Sequence, residues 1–487
     1  MFSHHPLPPY ERLDEFDKPH EECGVFGIYA PGEDVARLTF FALYALQHRG
    51  QESAGIATSD GRQLASHTSL GLVSQAFDEE DLSTLQGYLA VGHTRYSTSG
   101  SNEACNAGPM RVDTDLGELA ISHNGNLTNA LALRLELERD GEVFATTTDS
   151  EILARTIARA HGLTLEEKIR NAMPRMIGAF SLAILADDRL YAVRDSLGVR
   201  PLCLGRLGPN WVVASESAAL MTIGAEFVRE VDPGEIVEIG PDGVTTHGTG
   251  IPEHQALCLF ELIYFARPDS FMVGRNLYEV RRRMGEELAT EAPVEADLVM
   301  PVPDTGSAAA AGYAERSGIP YREGIVKNRY AGRTFIQPSQ ALRQRGVTVK
   351  LSPLPDQVRG RRLIVVDDSI VRGTTTRRIV EMLRRAGAAE VHLRISAPPI
   401  HHPCFYGIDT QIETELIASR LDPDGIRDFV GADSLAYLSI GGVLDAIGLP
   451  RERFCFACFD GQYPVPVPYD AESHKWVLEP SSAVRAG

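Results

Sequence analysis

At 487 residues the chain exceeds one ordinary domain, and its 43% hydrophobic and 23% charged residues exclude a disordered or fibrous protein. A formal net charge of −19 argues against nucleic acid as a general partner, although local basic clusters such as Arg281–Arg283 leave room for a pocket that takes an anion. No run of 18 apolar residues occurs and the N-terminus lacks a signal-type apolar core, so no membrane is expected as a partner and the expected location is cytoplasmic.

Residues 1–22 are polar and rich in Pro and His, with no sustained period, and read as a leader that the fold does not need. The pattern then changes to CGVFGIYA, a buried strand headed by Cys23. A cysteine on a core strand is ordinarily a small buried hydrophobe. Loss of the leader, however, would give Cys23 a free α-amine with a pKa of about 7.7 to 8.0, a base for its own thiol. Downstream, LQHRGQESAG (46–55), GHTRYSTSG (92–100) and SHNGNLTN (122–129) read as polar, Gly-punctuated loops between apolar strands, and TTTDSE (146–151) as an acidic one. From Gly178 the alternation predicts a hairpin turning at Asp187–Asp188, further strands and a helix, and VDPGEIVEIG closes the domain.

With ECGVFGI, these segments resemble the glutaminase domain of the N-terminal-nucleophile (Ntn) amidotransferases over about residues 23–235. The resemblance implies an α+β, αββα Ntn hydrolase fold with Cys23 as nucleophile. Asn124 and Gly125 would supply the oxyanion donors, and Arg49 would support that side. Arg95 would take the α-carboxylate of glutamine and Asp149 its α-ammonium. His48 and His123 are then structural, since an N-terminal amine makes a histidine base unnecessary.

A Gly/Pro/Thr-rich stretch, 241–252, marks the domain boundary, giving domains 23–245 and 253–487. In the second half, CLFELIYFARPDS packs an apolar run before the Arg267-Pro268-Asp269 turn, NLYEVRRRMGEELATE is a helix, and ADLVMPVPDTGSAAAAGYAE is strand, turn and helix. The next stretch is Gly-rich and cationic (Lys327, Arg329, Arg333, Arg343, Arg345, Lys350), either a solvated loop or a closing lid. LIVVDDSIVRGTTT (363–376) runs a buried strand into two carboxylates and a Gly/Thr turn. Ile379, Val380, Met382, Leu383 and Ala386 then recur at helical spacing, Gly387 stops the helix, and VHLRIS is a second parallel strand. Backbone N–H groups of Arg372 to Thr376, freed by Gly373, can cradle a phosphate with the threonine hydroxyls. Asp367 and Asp368 would repel that phosphate and so address ribose hydroxyls or a hard cation. No G-x-x-x-x-G-K-[ST] is present, which excludes an ordinary P-loop.

The 363–376 string resembles the phosphoribosyl-pyrophosphate (PRPP) motif of type I phosphoribosyltransferases and implies an α/β domain of that family. By that resemblance Asp367, Asp368, Ser369, Arg372, Gly373, Thr374 and Thr375 bind PRPP, with Lys350 from a lid. One Mg²⁺ per subunit arrives with PRPP, beside Thr305 of the diphosphate loop and near Asp367 and Asp368.

The seven cysteines are odd in number and scattered, unlike a disulfide framework; Cys105 and Cys203 are read as structural. The C-x-x-C at Cys455 and Cys458 is weak alone, but Cys258 and Cys404 complete a set of four. By count this fits Zn(Cys)₄ and a [4Fe–4S] cluster equally well, and His401 or His402 are alternative zinc ligands.

Both halves together resemble one family, the PRPP amidotransferases, from Cys23 to about Pro466. One branch carries a propeptide and a [4Fe–4S] cluster on cysteines in these four contexts. The resemblance implies glutamine hydrolysis with transfer of ammonia to PRPP, giving 5-phosphoribosylamine, glutamate and diphosphate, the first committed step of purine nucleotide synthesis. It also implies purine nucleotides as feedback inhibitors and a homotetramer. Two other readings are a catalytically inactive PRPP-sensing regulator, which predicts an eroded nucleophile, and an Ntn amidotransferase for another phosphorylated sugar, which predicts a changed 363–376 string.

Overall fold

A computed structural model describes residues 23–97, 99–248, 255–328, 351–410, 412–467 and 477–479. The leader, residues 1–22, and the cationic segment from Arg329 through Lys350 lie outside the described residues. The chain forms two compact units.

The larger unit holds two antiparallel sheets. One has the order β11 (Glu226–Glu230), β9 (Cys203–Leu207), β10 (Asn210–Ala214), β1 (Gly24–Tyr29), β4 (Leu89–Arg95), β2 (Ser53–Ser59), β3 (Leu64–Leu70). The other runs β13 (Gly243–Gly248), β12 (Glu235–Gly240), β8 (Arg189–Arg194), β7 (Gly178–Ala186), β6 (Gly117–Leu127), β5 (Met110–Thr114). Strand alternation splits the apolar residues between two faces. Val25, Ala57, Val91, Ala120, Ala183 and Val237 fill the space between the sheets. Phe26, Ile28 and Ile56 face outward under the helix Val35–Ala45, while Ile121, Leu182 and Ile184 lie under the helix Asp149–Arg159. The layers are therefore helix, sheet, sheet, helix, as the α+β expectation required.

Two sequence expectations are corrected here. Residues 122–127 are not a loop: β6 continues to Leu127, because its backbone pairs with β7 along the whole stretch. Asp149 likewise opens a helix, capped by the Thr148 side chain accepting from the Glu151 N–H. Polar side chains there line a site rather than a turn, so polarity alone misled. The expected hairpin is present as β7 and β8, with Asp187 at a φ of +50° in its turn.

The same unit takes in residues 255–281, 401–410, 412–413, 444–467 and 477–479. Within it β14 (Leu257–Cys258) pairs in parallel with β23 (Phe454–Cys455), and β15 (Phe271–Met272) pairs antiparallel with β16 (Arg275–Asn276). The apolar run after β14 is a single helical turn, Glu261–Phe265, closed by the Ala266 N–H on the Glu261 carbonyl at 3.2 Å.

The smaller unit is a parallel sheet, β17 (Leu298–Pro301), β20 (Arg362–Asp367), β21 (Glu390–Ile395), β22 (Ser434–Tyr437), with the short antiparallel pair β18 (Ile325–Lys327) and β19 (Leu351–Pro353). Leu363 and Val365 join Leu298, Met300, Leu393, Ile379 and Leu383 in its core. Pro301 is level with Val366, so the turns after β17 and β20 leave the same carboxyl edge, where parallel sheets bind ligands. Among the described residues, no helix is long and apolar enough to cross a membrane.

Two glycines fix how the helices flanking this sheet approach. A Cβ on Gly312 would stand 1.8 Å from the Arg282 carbonyl oxygen, and one on Gly285 1.8 Å from that of Ala309. Gly312→Ala should therefore cost about 1–3 kcal/mol through forced separation of the helices, read as a lower denaturation midpoint. An unchanged midpoint would show that the helices part freely.

Candidate active site

Cys23 heads β1, 8% exposed, and its Sγ donates to the Tyr96 carbonyl at 3.4 Å. Burial pushes the thiol up to about 11; the Tyr96 hydrogen bond and the Arg95 guanidinium pull the other way, while Asp149 and Glu52 add to the rise. Arg95 and Asp149, the expected glutamine-recognition pair, both act electrostatically on the thiol. Arg95 is buried, donating to the carbonyls of Ser99 at 3.0 Å and Ser101 at 3.2 Å, with Glu52 at 3.7 Å. Asp149 accepts from the Leu127 N–H at 3.1 Å and stands 3.8 Å from His123.

Asn124 is fully buried on β6, yet neither atom of its side-chain amide has a hydrogen-bond partner among the described residues. A buried amide left unpaired costs about 1–3 kcal/mol, so this one is open to a hydrogen-bond partner from outside the chain. Gly125 follows at a φ of +146°, and a Cβ there would lie 1.9 Å from the Ala179 carbonyl oxygen. Only glycine fits there.

Arg49 is 2% exposed, and its Nε donates to the Cys23 carbonyl at 3.2 Å. Its Nη1 donates to Glu216 at 2.7 Å and to Glu261 at 3.0 Å, and its Nη2 to Glu261 at 2.5 Å. Glu216 also meets His48 Nε2 at 2.6 Å, the Ser270 hydroxyl at 2.7 Å and the Arg267 N–H at 2.9 Å. Burial alone would raise the Glu216 carboxyl; His48 and Arg49 outweigh it and hold it far below the carboxylate range. Arg49 thus grips the backbone of Cys23. Sequence reasoning missed both glutamates, although each was visible as a lone charge in an apolar run, SESAAL and LFELIYF. His123 and His93 are buried, and burial lowers both, His93 to about 3, which keeps them neutral and suits the structural role expected for His123.

In the smaller unit, Asp367, Asp368 and Ser369 are each about 2% exposed or less at the end of β20. The Asp368 carboxylate accepts from the Thr305 and Ser369 hydroxyls, and Asp367 accepts the Asp368 N–H at 2.9 Å. Gly373, at a φ of +80°, caps the helix Thr374–Arg385, and a Cβ there would reach Ile417 at 2.7 Å. Arg372 pairs with Glu415, its Nε donating at 3.0 Å. The expected PRPP residues thus converge on one strand end and one helix N-terminus, with Thr305 brought in from the turn after β17. Lys350 lies outside the described residues.

Cys258, Cys404, Cys455 and Cys458 are all buried in the larger unit, and the described cysteines form no disulfide. Cys258 is level with Cys455 across β14 and β23. The Cys458 carbonyl accepts the N–H groups of His401 and His402, both at 3.0 Å, and the Tyr406 N–H points to Cys404 Sγ at 3.4 Å. Burial pushes the Cys458 thiol well up, and Cys258, Cys404 and Cys455 add to the rise. Among the described residues, no group of three or more His, Cys, Asp or Glu is arranged to hold a single metal ion.

Residues 93–222 match the glutamine amidotransferase domain family and residues 274–401 the phosphoribosyl transferase domain family. Over 477 residues the chain is 51% identical to the amidophosphoribosyltransferase of Synechococcus elongatus, covering 97% of each. The chain belongs to the amidophosphoribosyltransferase family. The Bacillus subtilis amidophosphoribosyltransferase is 46% identical over 463 residues, 94% of this chain and 97% of its own. The solved B. subtilis glutamine PRPP amidotransferase, complexed with ADP and GMP, superposes with a TM-score of 0.87 at 46% identity over 92% of this chain and 98% of that one. A structure described as the allosteric regulatory enzyme of purine biosynthesis gives 0.88 at 47%, covering 92% and 97%. As an amidophosphoribosyltransferase family member the chain is an enzyme, with a glutamine amidotransferase part and a phosphoribosyltransferase part.

A thiol raised to about 11 reacts only through its small thiolate fraction near neutrality. In the full 487-residue chain, alkylation of Cys23 should therefore accelerate about tenfold per pH unit from pH 7 to 10. A plateau near pH 8.5, followed by peptide mass spectrometry, would show that the site does not desolvate the thiol.

Proposed function

We propose that the protein hydrolyses glutamine at Cys23 and transfers the ammonia to PRPP, giving 5-phosphoribosylamine, glutamate and diphosphate, the first committed step of purine nucleotide synthesis. One observation carries the reading: a buried, unpartnered Asn124 amide beside Gly125 in the unit where Arg95 and Asp149 flank the Cys23 thiol. In the same chain the Asp367–Asp368 strand end opens on a Gly373-capped helix.

Removal of residues 1–22 would free the Cys23 α-amine, which takes the thiol proton as the thiolate attacks the glutamine side-chain carbonyl. Asn124 and the Gly125 N–H stabilise the oxyanion. On collapse the C–N bond breaks, the α-ammonium returns its proton to the departing nitrogen, and ammonia leaves a thioester. Water then attacks the thioester, releasing glutamate and the thiol. Arg95 and Asp149 select free glutamine by its α-carboxylate and α-ammonium, and Arg49 keeps the nucleophile's backbone in place. Ammonia attacks C1 of PRPP with inversion as the C1–diphosphate bond breaks. Asp367 and Asp368 orient the ribose hydroxyls, while Ser369, Arg372, Gly373, Thr374 and Thr375 hold the 5-phosphate.

The carboxylates of Asp367 and Asp368 and the Thr305 hydroxyl form an all-oxygen donor set that suits Mg²⁺, which would neutralise the leaving diphosphate. Cys258, Cys404, Cys455 and Cys458 would hold a [4Fe–4S] cluster, supported by their shared burial and mutual electrostatic influence, and pin the 401–413 and 444–467 segments within their unit. Purine nucleotides are proposed as feedback inhibitors, in keeping with the ADP and GMP of the B. subtilis structure, and a homotetramer as the assembly.

Diphosphate release by anaerobically purified protein should require both PRPP and a nitrogen donor, glutamine or ammonia. Glutaminase activity without diphosphate would refute the reading. Cys23→Ala should lower glutamine-driven turnover at least about 10³-fold and spare ammonia-driven turnover. Elemental analysis should find about four iron atoms per chain and a brown protein; a colourless zinc protein would refute the cluster. Intact-mass analysis should place Cys23 at the mature N-terminus.

A further inference from the structure

Close to its C-terminus the chain returns to the glutaminase unit. Leu478 is 5% exposed and belongs to the core cluster of Ile152, Leu153 and Ile121, with Val477 packed against it. The next residue, Glu479, places one carboxylate oxygen 2.7 Å from the Ser101 N–H and 2.7 Å from the Thr147 hydroxyl. Burial opposes ionisation there, but the Thr147 and Ser101 hydrogen bonds hold the carboxyl below its ordinary range.

The two contacts fall on the two segments that present the glutamine-recognition residues. Ser101 lies in the loop whose Ser99 and Ser101 carbonyls receive the Arg95 guanidinium. Thr147 immediately precedes Thr148, the cap of the helix that begins at Asp149. Fully buried Asn106 ties the same segments, donating to the Ser101 carbonyl and the Thr147 hydroxyl at 2.9 Å each and accepting the Thr147 N–H at 3.0 Å. A Cβ on Gly100, whose φ is +77°, would stand 2.6 Å from the Thr147 carbonyl oxygen. The loops are thus in direct contact, and Glu479 bridges them from outside.

We propose that the C-terminal segment 477–479 is a strap in which Glu479 is a positioning residue for glutamine, holding the 99–101 loop that receives the Arg95 guanidinium and the Asp149 helix start at the spacing that an α-amino acid spans. Leu478 anchors the strap, and Glu479 transmits its position. The proposal rests on the assignment of Arg95 and Asp149 to glutamine recognition. Its consequence is specific: weakening the strap loosens the grip on the α-carboxylate and α-ammonium without altering the nucleophile or the phosphoribosyl chemistry.

The test compares Glu479→Ala, Glu479→Gln and a chain ending at residue 476, each assayed with glutamine and with ammonia. For Glu479→Ala and the truncation, KM for glutamine should rise about five- to twentyfold with kcat within about twofold, and ammonia-driven turnover should not change. Glu479→Gln keeps an acceptor oxygen and should recover part of the loss. An unchanged KM in all three variants, or an equal fall in glutamine- and ammonia-driven turnover with a lowered melting temperature, would overturn the strap. If the unmodified protein itself shows ammonia-driven but no glutamine-driven turnover, the glutamine reading has failed instead.

Discussion

The glutaminase unit depends on the grip of one buried guanidinium on one carbonyl, Arg49 on Cys23. In the proposed mature form Cys23 would have no residue before it to hold it in register, so its carbonyl would be the last backbone group by which the fold could fix both thiol and amine. Arg49 takes that carbonyl and is itself fixed by Glu216 and Glu261. Glu261 also lies 3.8 Å from Arg200, whose guanidinium donates to the Tyr406 carbonyl at 2.6 and 2.8 Å. Two arginines and two glutamates thus form a buried, formally neutral group. Removing one partner of a buried pair typically costs about 3–5 kcal/mol, a large part of a protein's net stability. The network reaches from Cys23 to the segments that carry Cys258 and Cys404.

The phosphoribosyl unit solves a different problem by different means. In the proposed reading its substrate is anionic while two of the side chains at the strand end are carboxylates, so attraction would come from Arg372 and the backbone N–H groups at a helix start rather than from the aspartates. Parallel pairing of β17 with β20 brings the Thr305 hydroxyl to Asp368. Gly373 gives the turn a left-handed conformation that a side chain would block at Ile417. The chemistry is therefore set by strand ends, whereas in the glutaminase unit it is set on the strands themselves.

That contrast explains how far the sequence could be read. Leu363 to Thr376 showed strand, turn and helix in order, because local period and a glycine stop decide each of them. Cys23, Asn124, Gly125, Arg95 and Asp149 were legible only through resemblance, and their local structure was misjudged where polar residues sit on a strand or a helix start. Polar side chains on β6 are paid for by backbone pairing with β7, which no local window reveals. Glu216, Glu261 and Glu479 carried a weak signal at most: a charge in an apolar run, or one residue near the C-terminus, acquires a role only through partners about fifty or more residues away.

The most direct test of this account is the nitrogen-donor dependence of a Glu261→Gln variant, which keeps the shape of the side chain and removes its charge. The account predicts that glutamine-driven turnover falls about tenfold or more, while ammonia-driven turnover stays within about twofold. Equal activity with both donors, unchanged from the unmodified protein, would show that Cys23 needs no such support and would contradict the account.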